Sequence, residues 1–400
     1  MTQVRAVHRV LQVHTRYREA GGEDAVVEAE RRMLESAGVI VEQVIFDNAE
    51  LRESRSLASD ARLAAAALWS HAARRRVRDA IGKHRPQVVH VHNTFAAASP
   101  SVYGAASAER VPVVQTLHNY RLVCPVATCF RDGHACTDCV GRSIAWPAVL
   151  HACVRGSRAQ SAVVTTTLAV HRAIGTYRSR IGAYIALTSF QRSLMVKGGV
   201  PAARIRVIPN FLEPDPGPSG EPRSGILYVG RLAEEKGVHP MARAAAREPA
   251  LLRVAGDGPL AGVVERSAAA GDLRHLGRLD AASVLREVRT AVALVLPSIW
   301  FEGFPMVVLE AFASGTPVIA SRIGSLAEVV EEGETGLLVE PDDPDSLAKR
   351  MRWASDHPQE MLIMGARARA RYERTYRGDD HLAALMGTYR GAIERLTSNA

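Results

Sequence analysis

Apolar residues along this chain follow two alternating rhythms. Short runs such as Val88-Val89-His90-Val91, Val113-Val114-Gln115-Thr116-Leu117 and Ala183-Tyr184-Ile185-Ala186-Leu187 have the length and composition of buried strands. Residues 4–13 and 39–46 read as strands of the same kind. Longer stretches with helical spacing lie between them. Over 24–36 the apolar positions are Ala25, Val26, Ala29, Met33 and Leu34. Strands alternating with helices predict a parallel sheet in a doubly wound α/β domain.

The rhythm breaks over 209–220, where Pro214-Asp215-Pro216-Gly217-Pro218-Ser219-Gly220 predicts a stiff loop or linker. It then restarts, with strands at 226–229, 251–255, 292–296 and 317–320 and a helix at 238–246. Helices follow from about 361 to 396. The reading is two α/β domains, over 1–210 and 211–375, with a terminal helix at 376–400 returning to the first. Open parallel sheets bind ligands beyond the carboxyl ends of their strands, so the expected site is the cleft between the domains.

Composition narrows the picture only slightly. Four hundred residues suit two domains, and 47% hydrophobic with 23% charged residues is ordinary for a globular protein. The net charge of +8 comes from scattered arginines, and aromatic residues make up only 5%, so no nucleic-acid partner is expected. The first nine residues hold no continuous apolar run, and runs such as Ala291-Val292-Ala293-Leu294-Val295-Leu296 are strand-sized. A cytoplasmic location is expected, with peripheral contact at the inner face of the membrane left open. For that contact the sequence offers 61–85, where Ala64 to Trp69 precede Arg74, Arg75, Arg76, Arg78, Lys83 and Arg85. The alternative is a solvated helix packed on its sheet.

Four clusters could carry chemistry. Gly230-Arg231-Leu232 with Lys236-Gly237 follows a strand and sets two cations five residues apart, apt for a diphosphate. Glu302 and Glu310 bracket Gly303-Phe304-Pro305-Met306-Val307, which reads as the start of a helix. Helix starts offer unpaired N–H groups to a phosphate, and flanking carboxylates suit sugar hydroxyls. Gly21-Gly22-Glu23-Asp24 joins the first strand to the first helix and permits close backbone approach. His118 ends a strand, as does His92. Gly256-Asp257-Gly258 reads as a strand-end turn, and no dinucleotide-type glycine fingerprint follows any strand. Asp343-Pro344-Asp345 reads as a helix cap.

These residues resemble the family-4 retaining glycosyltransferases of GT-B fold, of a bacterial type with a Cys-rich insert. The resemblance rests on Gly230-Arg231-Leu232 with Lys236-Gly237, Gly256-Asp257-Gly258-Pro259, Pro297-Ser298, Glu302 through Glu310-Ala311, and Gly315 through Ala320, closing at Gly336-Leu337-Leu338-Val339. It implies two Rossmann-like doubly wound domains facing across a cleft. It also implies transfer of a sugar from a UDP- or GDP-sugar to an acceptor hydroxyl, with retention and without a catalytic metal. The acceptor would be a lipid-linked or polysaccharide unit or a natural product. Catalytic roles are implied for His118, Arg231, Lys236 and Glu302. Donor contacts are implied for Gly21, Gly22, Gly230, Gly303, Phe304, Pro305, Met306, Val307 and Glu310, with the base near Gly277, Arg278 and Leu279. Arg231 and Lys236 are expected to be exposed, so that their removal leaves the fold intact. A nucleotide-sugar epimerase and a non-catalytic nucleotide-sugar binding protein are the alternatives.

Cys124, Cys129, Cys136 and Cys139, with Cys153 beyond, form an insert at about 120–155. Cytosolic chains do not rely on disulfides. Two readings stand: a structural zinc on Cys124, Cys136, Cys139 and Cys153, or thiols in a packed loop.

Overall fold

A computed structural model describes residues 7–16, 21–48, 57–218 and 220–398. Its strands are β1 (Arg9–Arg16), β2 (Ile40–Asp47), β3 (Val88–Val91), β4 (Val113–Leu117), β5 (Phe130–Arg131), β6 (His134–Ala135), β7 (Ala183–Ala186) and β8 (Ile205–Val207), followed by β9 (Ile226–Val229), β10 (Leu252–Ala255), β11 (Leu273–Gly277), β12 (Ala293–Leu296), β13 (Val318–Ser321) and β14 (Gly336–Val339). One parallel sheet runs β2-β1-β3-β4-β7-β8 and a second runs β11-β10-β9-β12-β13-β14, while β5 and β6 form a small antiparallel hairpin. The strand expected at 4–13 is described from Arg9 onward, and residues 1–6 lie outside the described set.

Strands β3, β4, β7, β12, β13 and β14 are buried at every position. A parallel sheet covered by helices on both faces requires this, and it explains why these runs are apolar without alternation. The edge strand β8 differs: Arg206 and Val207 are exposed, so it carries no apolar run to read.

The chain divides into two compact units. The first comprises Met1–Thr128, Thr137–Pro209 and Asp379–Ala400; the second comprises Cys129–Cys136 and Asn210–Gly378. Residues from the terminal helix Gly378–Ser398 enter the first unit's core: Tyr389 is fully buried and its hydroxyl lies 2.8 Å from His90 Nδ1. The core of the second unit gathers β9, β10 and β12 with helices Val238–Arg247 and Pro344–Asp356, through Tyr228, Met241, Val254, Val295 and Met351.

The basic stretch singled out for membrane contact folds as helices Leu57–Leu68 and His71–His84, with the side chain of residue 61 outside the described set. In the second of these, Ala73, Val77 and Ile81 are buried. They pack on β1, β2 and helix Ser101–Ala108, so this apolar stripe is already used inside the unit. No helix among the described residues is long and apolar enough to cross a membrane.

Candidate functional site

The second sheet reverses its winding between β9 and β12. Strands β10 and β11 extend outward from β9, and β13 and β14 extend outward from β12. Loops leaving such a pair of strands diverge and open a crevice at their carboxyl ends. The loop after β9 carries Gly230, Arg231 and Lys236. The loop after β12 carries Ser298, Trp300 and Glu302 and runs into helix Met306–Ala313, on which Glu310 sits.

Glycines bring these loops together. Gly237 has φ +72, and a Cβ there would lie 1.9 Å from the Pro297 carbonyl oxygen. The backbone N–H of Ile299 donates to Glu235 O at 3.0 Å. A Cβ on Gly256 would lie 1.9 Å from Gly230 O, and one on Gly258 would lie 2.6 Å from Leu232 O. The Gly256-Asp257-Gly258 turn is thus a brace under the Arg231 loop, with Leu232 N–H donating to Asp257 O at 2.9 Å.

The consequence is a close ion pair. Lys236 Nζ lies 2.8 and 2.9 Å from the two oxygens of Glu302 and 4.9 Å from the Trp300 ring centroid. Ser298 Oγ donates to Glu302 Oε1 at 2.7 Å. Glu302 is only 5% exposed. Burial pushes its carboxyl upward, but Lys236, Ser298 and Trp300 outweigh burial and hold it below the usual carboxylate range. An ammonium has three N–H donors, so the carboxylate leaves one for a ligand. The expectation that Lys236 stands exposed is therefore corrected: it neutralises a buried acid. Arg231 is exposed, as expected.

Glu310 is half-buried, and burial raises its carboxyl above the usual range. Its carboxylate makes no hydrogen bond or ion pair within the described residues. Gly303, Pro305, Met306 and Val307 are half-buried around the helix start, where Val308 N–H bonds to Pro305 O at 3.1 Å. Phe304 is buried, its ring 5.4 Å from that of Tyr376, and its carbonyl accepts from Asn210 Nδ2 at 3.1 Å. Only its backbone remains for a ligand. Gly277 ends β11 beside the brace, its carbonyl accepting from Gly256 N–H at 2.9 Å, and Arg278 and Leu279 follow it.

The first unit has its own reversal, between β1 and β3. Gly21 is the N-cap of helix Gly22–Ser36 and Asp24 closes a capping box, its Oδ2 accepting from Gly21 N–H at 3.0 Å. Asp24 Oδ1 also lies 2.8 Å from His14 Nε2. Burial pushes the neighbouring Glu23 carboxyl up to about 8, and Asp24 adds to the rise. Behind these lies a histidine-carboxylate network of Glu30, His90 and His92, with His118 at the end of β4. His118 lines a cavity together with His92, Asn93, Phe95, Arg121 and Tyr177. Glu30 was missed from the sequence although a signal existed. It falls on the buried stripe of its helix with Val26, Val27, Met33 and Leu34, and a lone carboxylate on such a stripe needs partners.

Glu30, His90 and His92 are the one group of three or more His, Cys, Asp or Glu among the described residues whose ligand atoms lie within 4.8 Å of one another. Gln12, Thr116 and Tyr389 already bond to this group, so it stands as a hydrogen-bonded network. Cys124, Cys139 and Cys153 belong to the first unit and Cys136 to the second. Cys139 is buried, packed with Ala145, Ala148 and Cys153. No three of the cysteine sulfurs lie that close among the described residues. Tetrahedral zinc at ~2.3 Å from each sulfur needs sulfurs ~3.8 Å apart. Asp343 caps helix Pro344–Asp356, its Oδ1 accepting from Asp345 and Ser346 N–H at 2.9 and 3.0 Å.

Comparison with known proteins adds the following. Residues 213–371 match the family model described as "Glycosyl transferases group 1", and residues 20–216 match "Glycosyltransferase Family 4". The D-rhamnosyltransferase WbpZ of Pseudomonas aeruginosa is 35% identical over 156 residues, which are 38% of this chain and 41% of that protein. A glycogen synthase of Mycobacterium tuberculosis is 38% identical over 170 residues, 39% of this chain and 41% of that protein. The chain therefore spans well under half the length of these curated relatives. Among solved structures, Anabaena Alr3699/HepE in complex with UDP and glucose superposes with a TM-score of 0.66 at 17% identity, covering 95% of this chain and 99% of that one. The architecture is the two-domain α/β GT-B fold. Each family match is to a glycosyltransferase model and spans under half of the chain, and the similar solved structures share its fold.

Proposed function

We propose that this chain is a retaining, metal-independent glycosyltransferase that moves a sugar from a UDP- or GDP-sugar to an acceptor hydroxyl. The observation that carries the reading is the set of Lys236, Glu302 and Glu310 around the crevice of the second sheet. Lys236 and Glu302 are locked at 2.8 Å, and Glu310 lies further along the following helix, its carboxylate without a partner among the described residues. An anion bound there meets a positioned ammonium, the exposed Arg231 and the N–H groups of a helix start. The Glu310 carboxyl is left for ribose hydroxyls. The named relatives point the same way, since WbpZ is a D-rhamnosyltransferase and HepE was solved with UDP and glucose.

The chemistry follows from charge. The bond from the sugar's anomeric carbon to the phosphate oxygen breaks, and the electron pair leaves with the diphosphate. Cations aimed at that diphosphate stabilise the transition state. The acceptor oxygen bonds to the same face of the sugar and its proton passes to the departing phosphate, so the reaction needs no separate protein base. Acceptors in polysaccharide or glycolipid assembly, or natural products, fit this chemistry.

Membrane contact, if the acceptor is lipid-linked, is better carried by 140–212 than by 61–85. That stretch contains ten Arg and Lys and no Asp or Glu, and it exposes Ile144, Trp146, Leu150 and Ile174. Arg142 lies over the Trp146 ring. A cationic segment with exposed apolar side chains suits anionic lipid.

The test is release of UDP or GDP from a panel of nucleotide sugars, with and without acceptor alcohols, in the presence of a chelator. Release accompanied by a product of retained anomeric configuration is expected. Interconversion of the donor sugar without acceptor would instead identify an epimerase, and binding without release a sensor. Zinc analysis of natively purified protein decides whether Cys124, Cys136, Cys139 and Cys153 hold a structural ion or stand as packed thiols.

A further inference from the structure

The side chains behind His118 determine which of its ring nitrogens carries hydrogen. Glu30 is buried, and its Oε1 lies 3.0 Å from Gln12 Nε2, 2.9 Å from His90 Nδ1 and 3.4 Å from His92 Nε2. His381 Nε2 lies 3.7 Å from the other oxygen. Burial pushes this carboxyl upward, but His90 beside it, with a hydrogen bond from His381, outweighs burial and holds Glu30 well below the usual range. An ionised carboxylate can only accept.

That requirement propagates outward. His92 Nε2 makes no hydrogen bond in the core, but 3.4 Å from an ionised oxygen a lone pair there would be repelled and an N–H attracted. Burial, with His90 adding to it, lowers His92 to about 4, so its ring is neutral near pH 7 and carries one hydrogen. With that hydrogen on Nε2, His92 Nδ1 is an acceptor. His118 Nε2 lies 3.0 Å from it and must be the donor. Burial, with His92 and His14 adding, holds the His118 ring neutral as well. Its Nδ1 is then a lone-pair nitrogen. It has no hydrogen-bond partner among the described residues, and His118 lines the cavity.

We infer that Glu30, acting through His92, holds His118 as its Nε2–H tautomer, so that Nδ1 accepts a hydrogen bond from a hydroxyl-bearing ligand in this cavity. Glu30 and His92 are then positioning residues. That the hydroxyl belongs to a sugar rests on the proposed function; the tautomer does not.

The tautomer is read from two-bond proton–nitrogen correlations in the full chain labelled with nitrogen-15 histidine, near pH 7, with His118→Gln assigning the resonances. His118 is expected protonated on Nε2 and bare on Nδ1. A hydrogen on Nδ1, or on both nitrogens, would overturn the inference, and this measurement on the unmodified protein needs no stable variant. Glu30→Gln replaces the obligate acceptor with a group that can also donate. It should turn the His118 signal into a tautomer mixture and lower kcat/KM about tenfold. A changed tautomer with unchanged turnover would remove the positioning role. An intact tautomer in a protein that turns over no nucleotide sugar would sink the proposed function and leave the relay standing.

Discussion

The two sheets reverse direction in the same manner but furnish the reversal oppositely. In the second, the crevice holds a cation and a carboxylate drawn from two short loops, with Lys236 24% and Glu302 6% exposed at the side chain. In the first, the corresponding region is filled by aromatic and imidazole rings around one buried acid, drawn from β1, β3, β4 and two helices. A pyrophosphate needs fixed positive charge, and sugar hydroxyls need oriented donors and acceptors. The second reversal suits a pyrophosphate and the first suits hydroxyls, and the difference lies in whether the acid at its base faces an ammonium or imidazoles.

The largest expected effect comes from breaking the ionic half. Lys236→Ala leaves Glu302 buried without its counter-charge, which should cost about 3–5 kcal/mol in denaturant melts and abolish most turnover. The pair Lys236→Met with Glu302→Gln should recover most of the stability and none of the turnover. Equal stability of Lys236→Ala and the parent would mean that the pair does not persist in solution.

Gly237→Ala comes next. Its Cβ would meet the Pro297 carbonyl oxygen at 1.9 Å in a left-handed backbone. A loss of about 1–3 kcal/mol is expected, with the two loops pushed apart. Comparable stability and donor affinity in this variant would show that the loops have slack.

Arg231→Ala sharpens the comparison, because Arg231 is exposed and its loss should leave stability within about 0.5 kcal/mol while lowering turnover at least ~10-fold. Unchanged turnover would remove Arg231 from the site.

The smallest effect is a pH slope. The Glu302 carboxyl is depressed in the folded chain, so its contribution to stability is complete above its unfolded value and is lost as pH falls through its folded value. Acid titration of stability should be shallower in the Lys236→Met, Glu302→Gln pair than in the parent. Identical profiles would place the parent's acid sensitivity elsewhere.

Several strands were legible to the residue. Val88–Val91, Val113–Leu117 and Ile226–Val229 coincide with their apolar runs, because central parallel strands are covered on both faces. Arg231, Lys236, Glu302 and Glu310 were legible as types at meaningful spacings. Their environments were not. Lys236 reads as exposed until Gly237 closes on Pro297, a contact across sixty residues of chain. The helix at 71–84 reads as basic and amphipathic whether its apolar stripe faces lipid or a sheet, and only packing shows the sheet.

Alternation of apolar runs by itself determined two wound sheets, since burial on both faces leaves its mark locally, residue by residue. Tertiary structure alone decided which charges meet: Lys236 with Glu302, and Glu30 with His90 and His92. Those partners lie on strands and loops whose order in the sheet is not written in hydrophobic rhythm, and the strength of each pairing depends on how much water the surrounding core excludes.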